Sequence, residues 1–197
     1  MNESAVTLAI LAGGRGERMG KPKSSLRVGD QPILSYLLKR FAWRGPTMLV
    51  TSPGREKPPG AQKFDREVVD PVEGMGPVRG LITALENSQT ENLIVASVDM
   101  PLVEREQLLW LLERMEERPK ASAVMLRFDA LEPFPSIFRK ERAERPLCEN
   151  ASMRSLTKID GFEVLPAPAH WSHDIWTNLN EPADLAALQR LSGFRIH

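Results

Sequence analysis

The stretch LAILAGGRGERMGKPKSSL, Leu8–Leu26, decides the fold. Its apolar part belongs to a continuous run, Val6–Leu11, that stops at Gly13-Gly14. An unbroken apolar run bounded by glycines reads as a strand buried on both faces. From Ala12 to Gln31 no periodicity follows, and Pro22 and Pro32 break any helix. A loop that long inside a compact domain is either functional or disordered.

The same grammar recurs along the chain. Thr47–Thr51, Glu67–Val69, Leu93–Val98 and Ala121–Leu126 read as further strands. Helical stripes separate them: Ile33, Leu34, Leu37, Leu38 and Phe41; Val78, Leu81, Ile82 and Leu85; Leu108, Leu109, Leu111, Leu112 and Met115. Strand alternating with helix predicts an α/β fold, a doubly wound, mostly parallel sheet with helices on both faces, in a single domain. The second half is less regular. It predicts a short strand near Ser136–Phe138, a helix around Ser152–Lys158, strands near Glu163 and Thr177, and a last helix from about Glu181 to Leu191.

Bulk composition narrows the function. Formal net charge is zero, which argues against a nucleic-acid or membrane-surface binder. A single Cys148 excludes an internal disulfide framework and a cysteine-rich zinc module. The N-terminus shows no basic segment and its apolar run is too short to span a bilayer, so a cytoplasmic protein is expected.

Open α/β sheets bind ligands beyond the carboxyl ends of their strands. Three loops fall there: Ala12–Gln31, Asp70–Gly80 and Asp99–Pro101. The first fits neither common phosphate-binding pattern. Arg15 stands at the first glycine of a P-loop, and Pro22 replaces the Ser/Thr after Lys21. Met19 stands at the third glycine of a dinucleotide fingerprint. Successive glycines still bring backbone N–H groups close to an anion, and Arg15, Arg18, Lys21 and Lys23 concentrate positive charge. A polyphosphate cradle and a solvated surface turn both fit these residues. Asp99 ends the most apolar strand, where a carboxylate can hold Mg²⁺ or simply cap a turn before Pro101. Asp70 and GMGPVRG suit close approach to a flat ligand, or equally a flexible crossover loop.

LAGGRGERMGKPKSSL, GPVRG, VDMPLV and NLNEPADL together resemble the molybdenum cofactor guanylyltransferases, the MobA-like family of nucleotidyltransferases. The match keeps its order along nearly the whole chain and is weakest between about 127 and 170. The resemblance implies Mg²⁺-dependent transfer of GMP from GTP to molybdopterin, giving the guanine dinucleotide cofactor and pyrophosphate. It implies a nucleotide-binding half over 1–103 and an acceptor-binding half over 104–197. Leu11, Ala12, Gly13 and Gly14 would contact the nucleotide through the backbone. Arg18 and Lys23 would grip the phosphates. Asp70, Gly76, Pro77 and Gly80 would line the nucleotide and pterin loop. Asp99 would ligate Mg²⁺, with help from Asn180, which also suits the N-cap of the last helix. The chain departs from the family pattern twice: Pro22 takes the place of a loop Asp, and Thr51 stands where Asn is common, near the nucleotide. A cytidylyltransferase, another nucleotidyltransferase with a phosphorylated acceptor, and a non-catalytic nucleotide-binding module are the alternatives. The family also implies contact with other cofactor-synthesis proteins and with apo-molybdoenzymes.

Other features read as structural. His170 and His173 flank Trp171 in HWSH, a loop packed by tryptophans rather than a metal site. Arg139, Lys140, Arg142, Arg154 and Lys158 would form a solvated charged face or meet the acceptor phosphate.

Overall fold

The computed structural model describes residues 2–13, 20, 22–72, 76–149, 153–193 and 196; the side chains of 148, 149, 153, 154, 191 and 192 are not described. Nine strands and five α-helices are present among these residues. In chain order they are β1 (Val6–Leu11), β2 (Arg27–Val28), β3 (Gln31–Pro32), α1 (Ile33–Phe41), β4 (Thr47–Thr51), β5 (Arg66–Val69), α2 (Gly76–Asn87) and β6 (Asn92–Ser97). Then come α3 (Arg105–Glu116), β7 (Ala123–Arg127), β8 (Leu131–Arg139), α4 (Lys140–Glu149), β9 (Phe162–Pro166) and α5 (Pro182–Ser192).

Seven strands form one sheet in the order β5-β4-β1-β6-β8-β7-β9. β1 pairs in parallel with β4 and β6, and β4 with β5, while β8 runs antiparallel between β6 and β7. Every residue of β1 is buried, as its unbroken apolar run requires. Leu8, Ile10, Leu49, Leu93 and Val95 fill the middle of the sheet with no exposure. Each contributes about 1.5–3 kcal/mol by leaving water. α1 packs with α3, and α2 with α4, so two helical layers cover the sheet. The mostly parallel, doubly wound single domain matches the sequence expectation. No helix among the described residues is long and apolar enough to cross a membrane.

Several elements differ from the sequence reading. α4 was not expected, because KERAERPLCE is mostly charged; it buries only a narrow stripe that includes Ala143 and Leu147, four residues apart. β8 is nine residues long, although Pro133 and Pro135 restrict the pattern to its end. The helix expected around 152–158 is present as a six-residue 3-10 helix, Met153–Lys158. Thr177 lies in no strand; residues 177–180 are irregular and hydrogen-bond to the chain after β6 instead. The long first loop contains a 3-10 turn, Lys23–Ser25, and the small β2–β3 hairpin.

Arg139, Lys140 and Arg142 serve the end of the sheet away from the candidate site, while the Arg154 side chain lies outside the described residues. Arg139 lies opposite Asn92, at the amino end of β6. Its guanidinium donates to the carbonyls of Met115 at 3.0 Å, Arg118 at 2.9 Å and Pro119 at 3.1 Å, and also to that of Ala121. It thereby adds a charged donor to carbonyls where α3 ends, of which Met115 O also accepts Arg118 N and Arg118 O also accepts Ala121 N. Lys140 donates to Ser88 O at 2.7 Å and Arg142 to Pro119 O at 2.7 Å. Arg139→Ala removes these charge-assisted bonds, and urea unfolding should show a loss of about 1.5–3 kcal/mol.

Candidate active site

The carboxyl ends of β1, β4, β5 and β6 lie along one edge of the sheet. Connections from β1 run to β4 on one side, whereas β6 lies on the other, so a crevice opens at the β1–β6 boundary. Leu11 pairs with Ser97 across it. Val98 N donates to Leu11 O at 3.0 Å, and Ala12 N donates to Val50 O at 2.8 Å. These bonds fix the root of the glycine loop between its two neighbours.

Gly13 continues that root under a tight constraint. Ser52 Oγ donates to Gly13 O at 2.6 Å, and a Cβ on Gly13 would meet that hydroxyl at 2.7 Å. Only glycine lets the loop leave β1 beside Ser52 without displacement. Nothing in the sequence marks Ser52 beyond its place directly after the strand Thr47–Thr51. Gly14 and Arg18 lie outside the described residues.

Pro22 now has a structural role. With φ −59° and ψ 134° it precedes the 3-10 turn Lys23–Ser25, and its carbonyl accepts Ser25 N at 3.0 Å and Ser25 Oγ at 2.7 Å. Its ring fixes the approach to the turn that presents Lys23. Lys23 Nζ donates to Asp99 Oδ2 at 2.9 Å and to Asn180 Oδ1 at 2.8 Å. These groups are separated by 76 and 157 positions in the chain. The side chains of Lys23 and Asp99 retain only 13% and 22% exposure. Leu179 N donates to Asp99 O at 2.8 Å, so the irregular segment before α5 is tied directly to the turn after β6.

Asn180 does not cap the last helix. Glu181 is the N-cap, in a reciprocal capping box with Asp184. Asp184 Oδ2 also accepts Asn180 N at 2.7 Å, leaving the Asn180 side chain to meet Lys23.

In the second loop, Asp70–Gly80, the described residues are tied inward more than their glycines suggest. Asp70 is buried, its N–H donates to Thr51 O at 2.8 Å, and its carboxylate accepts the Thr83 hydroxyl of α2. Burial pushes the Asp70 carboxyl above its ordinary range, against the Thr83 hydrogen bond and the Arg79 guanidinium 4.0 Å away. Thr51 is buried beside it at the end of β4. Gly76, with φ +74°, opens α2 in a conformation that suits glycine, and Pro77 follows it exposed in the first turn. Gly80 is buried against Leu11, where an added Cβ would make close to ordinary contact. Val69 and Val72, on either side of Asp70, are half exposed at 52% and 51%.

On the other flank, beyond the end of β6, stands an aromatic group. Trp110 and Trp171 meet edge-on at 5.6 Å, Trp171 and Trp176 lie 6.1 Å apart, and Phe128 contacts Trp176 at 5.8 Å and His173 at 4.2 Å. Glu106 accepts Trp171 Nε1 at 2.8 Å and meets His170 Nε2 at 3.2 Å, which holds its carboxylate below the ordinary range. Tryptophan packing therefore organises the HWSH loop, as its sequence suggests. Glu132 of β8, missed in the sequence, is half-buried on this side; burial first and Asp129 second push its carboxyl upward. It lies ahead of the strand expected near Ser136–Phe138, next to Pro133, and the local pattern carries no signal of burial.

Two outcomes test this geometry. Asp70→Asn keeps an acceptor for Thr83 and removes a buried charge. A carboxyl raised in the folded state favours folding below the unfolded pKa and loses that contribution as pH rises through the folded value. The variant should therefore match or exceed wild type in urea at pH 8, with the gap closing as the pH falls. Separately, Asp184→Ala should cost about 1 kcal/mol of stability, while Asn180→Ala should stay within about 0.5 kcal/mol in the same unfolding measurement.

Comparison with known proteins places this chain in a family. Residues 8–161 match the MobA-like NTP transferase domain. The chain is 31% identical over 194 residues to a probable molybdenum cofactor guanylyltransferase of Thermococcus kodakarensis, covering 93% of this chain and 94% of that one. It is 28% identical over 197 residues to one of Carboxydothermus hydrogenoformans, covering 94% and 96%. The fold is shared with molybdopterin-guanine dinucleotide biosynthesis protein A of Archaeoglobus fulgidus, at a TM-score of 0.76 and 21% identity over 95% of this chain and 98% of that one. It is also shared with 2-C-methyl-D-erythritol 4-phosphate cytidylyltransferase of Thermus thermophilus, at 0.69 and 16% over 94% and 98%. With its glycine loop rooted between β4 and β6 and Lys23 facing Asp99, the chain belongs to the MobA-like NTP transferase family and is a nucleotidyltransferase.

Proposed function

We propose that the protein transfers GMP from GTP to molybdopterin, with Mg²⁺, and releases pyrophosphate. The observation that carries this reading is the meeting of Lys23, Asp99 and Asn180 at the β1–β6 crevice. It is supported by what the relatives are called, probable molybdenum cofactor guanylyltransferases.

The donor set fits the metal. One carboxylate oxygen and one amide oxygen converge on a single cation, the Lys23 ammonium, at 2.9 and 2.8 Å. Mg²⁺ takes hard oxygen ligands of this kind, usually one or two carboxylates with substrate phosphates. Asp99 and Asn180 would hold it, and when bound it would offset charge on the phosphates and polarise them.

The remaining roles fall to the chain itself. A phosphate oxygen of the acceptor forms a bond to the α-phosphorus. The bond from that phosphorus to the bridging oxygen breaks, and its electron pair leaves with pyrophosphate. Positioning and charge compensation dominate such transfers. Leu11, Ala12, Gly13 and Gly14 would offer backbone groups to the nucleotide, on a root already held by Ser52 and Val50. Arg18 and Lys23 would neutralise charge on the departing pyrophosphate. Gly76, Pro77 and Gly80 open α2, whose amino end favours anions. Asp70 and Thr51 would act from behind, by fixing α2 and β4 against each other at the nucleotide side. Residues beyond β6 would receive the acceptor, and the product would pass to other cofactor-synthesis proteins or apo-molybdoenzymes.

The test is pyrophosphate release with Mg²⁺, the pterin-phosphate acceptor and each nucleoside triphosphate in turn. Release with GTP alone is expected. Release only with CTP assigns the cytidylyl reaction, and nucleotide binding without release under any condition assigns a binding module. In the productive assay, Lys23→Ala and Asp99→Ala should each lower kcat/KM by about 100- to 1,000-fold, with unchanged circular dichroism.

A further inference from the structure

Lys23 occupies, with its ammonium, the two oxygens that the preceding section assigns to the metal. An ammonium and a divalent ion compete for them: both are cations, and at contact distance on the same two oxygens they repel each other. The amide oxygen makes this more than a surface ion pair. Asn180 comes from a segment that is anchored to Asp99 by the Leu179 bond, so both oxygens are held toward one point. The ammonium uses two of its three N–H groups there among the described residues and has a third for an incoming anion. It sits on the flexible stem typical of lysine, launched from a turn that Pro22 fixes.

We propose that Lys23 is an exchangeable placeholder for the divalent cation, so that nucleotide binding gates metal binding. The polyphosphate draws the ammonium off Asp99 and Asn180 onto its own oxygens, and the vacated pair then takes the metal. By linkage, metal and nucleotide each raise the affinity for the other. This inference rests on the proposed metal role of Asp99 and Asn180.

Mn²⁺ titration followed by the electron paramagnetic resonance of the free ion tests it, on full-length protein without nucleotide or acceptor. Wild type should bind Mn²⁺ weakly. Lys23→Ala and Lys23→Gln should each gain one site at least about 10-fold tighter, and adding Asp99→Asn should abolish the gain. Lys57→Ala is the control for loss of one positive charge, since Lys57 pairs with Glu67 at 2.6 Å away from these oxygens; it should gain nothing. Equal Mn²⁺ affinity in wild type and both Lys23 variants overturns the proposal. So does a gain that survives Asp99→Asn, or one reproduced by Lys57→Ala. Because no transfer is measured, a protein that shows the gain but releases no pyrophosphate with any nucleotide would sink the proposed reaction and leave the placeholder standing.

Discussion

The parallel pairing of β1 with β6 is the constraint on which the rest of the molecule depends. It runs six residues deep, from Val6 opposite Asn92 to Leu11 opposite Ser97, and ends both strands at the same level. A slip of one residue would turn every side chain of β1 to the other face. Burial of both faces of β1 forbids that freedom, because each layer of helices has shaped its side chains to one register. With register fixed, the loops after Leu11 and Ser97 must leave on opposite sides of one crevice. The site is a consequence of this alignment more than of either loop.

Much of this could be read before any coordinates. β1, β4 and β6 announce themselves as apolar runs, and α1 and α3 as stripes at helical spacing, because both faces or one full face of each is buried. The elements that escaped are those with weak hydrophobic signatures. α4 is covered with charge, and β8 carries prolines that local rules assign to loops. At Thr177 the local pattern suggested a strand, but the segment finds its partner in the main chain of Asp99 rather than in a neighbouring strand.

The site shows the same division. Motif resemblance identified Lys23, Asp99 and Asn180 separately, since residue type and order survive in a sequence. Their meeting did not, because three-dimensional closure between positions separated by 76 and 157 residues leaves no local trace. Ser52 was invisible for a related reason: its importance lies in the space it denies to a side chain on Gly13. Asp70 looked like a ligand contact and is engaged inward, with Thr83. Pro22 stood out only as a departure from the family's loop Asp, and in the structure it sets the turn that carries Lys23.

The bond from Leu179 to the carbonyl of Asp99 gives the molecule a timetable. A chain emerging from the ribosome delivers β1, the glycine loop and β6 early, and domains fold as synthesis proceeds. Asp99 can take its place in the sheet while the segment that completes its surroundings has yet to be made. Closing so long a loop is among the slower contacts to form. A nascent chain thus holds most of its core before the segment that meets Asp99 and Lys23 has been made.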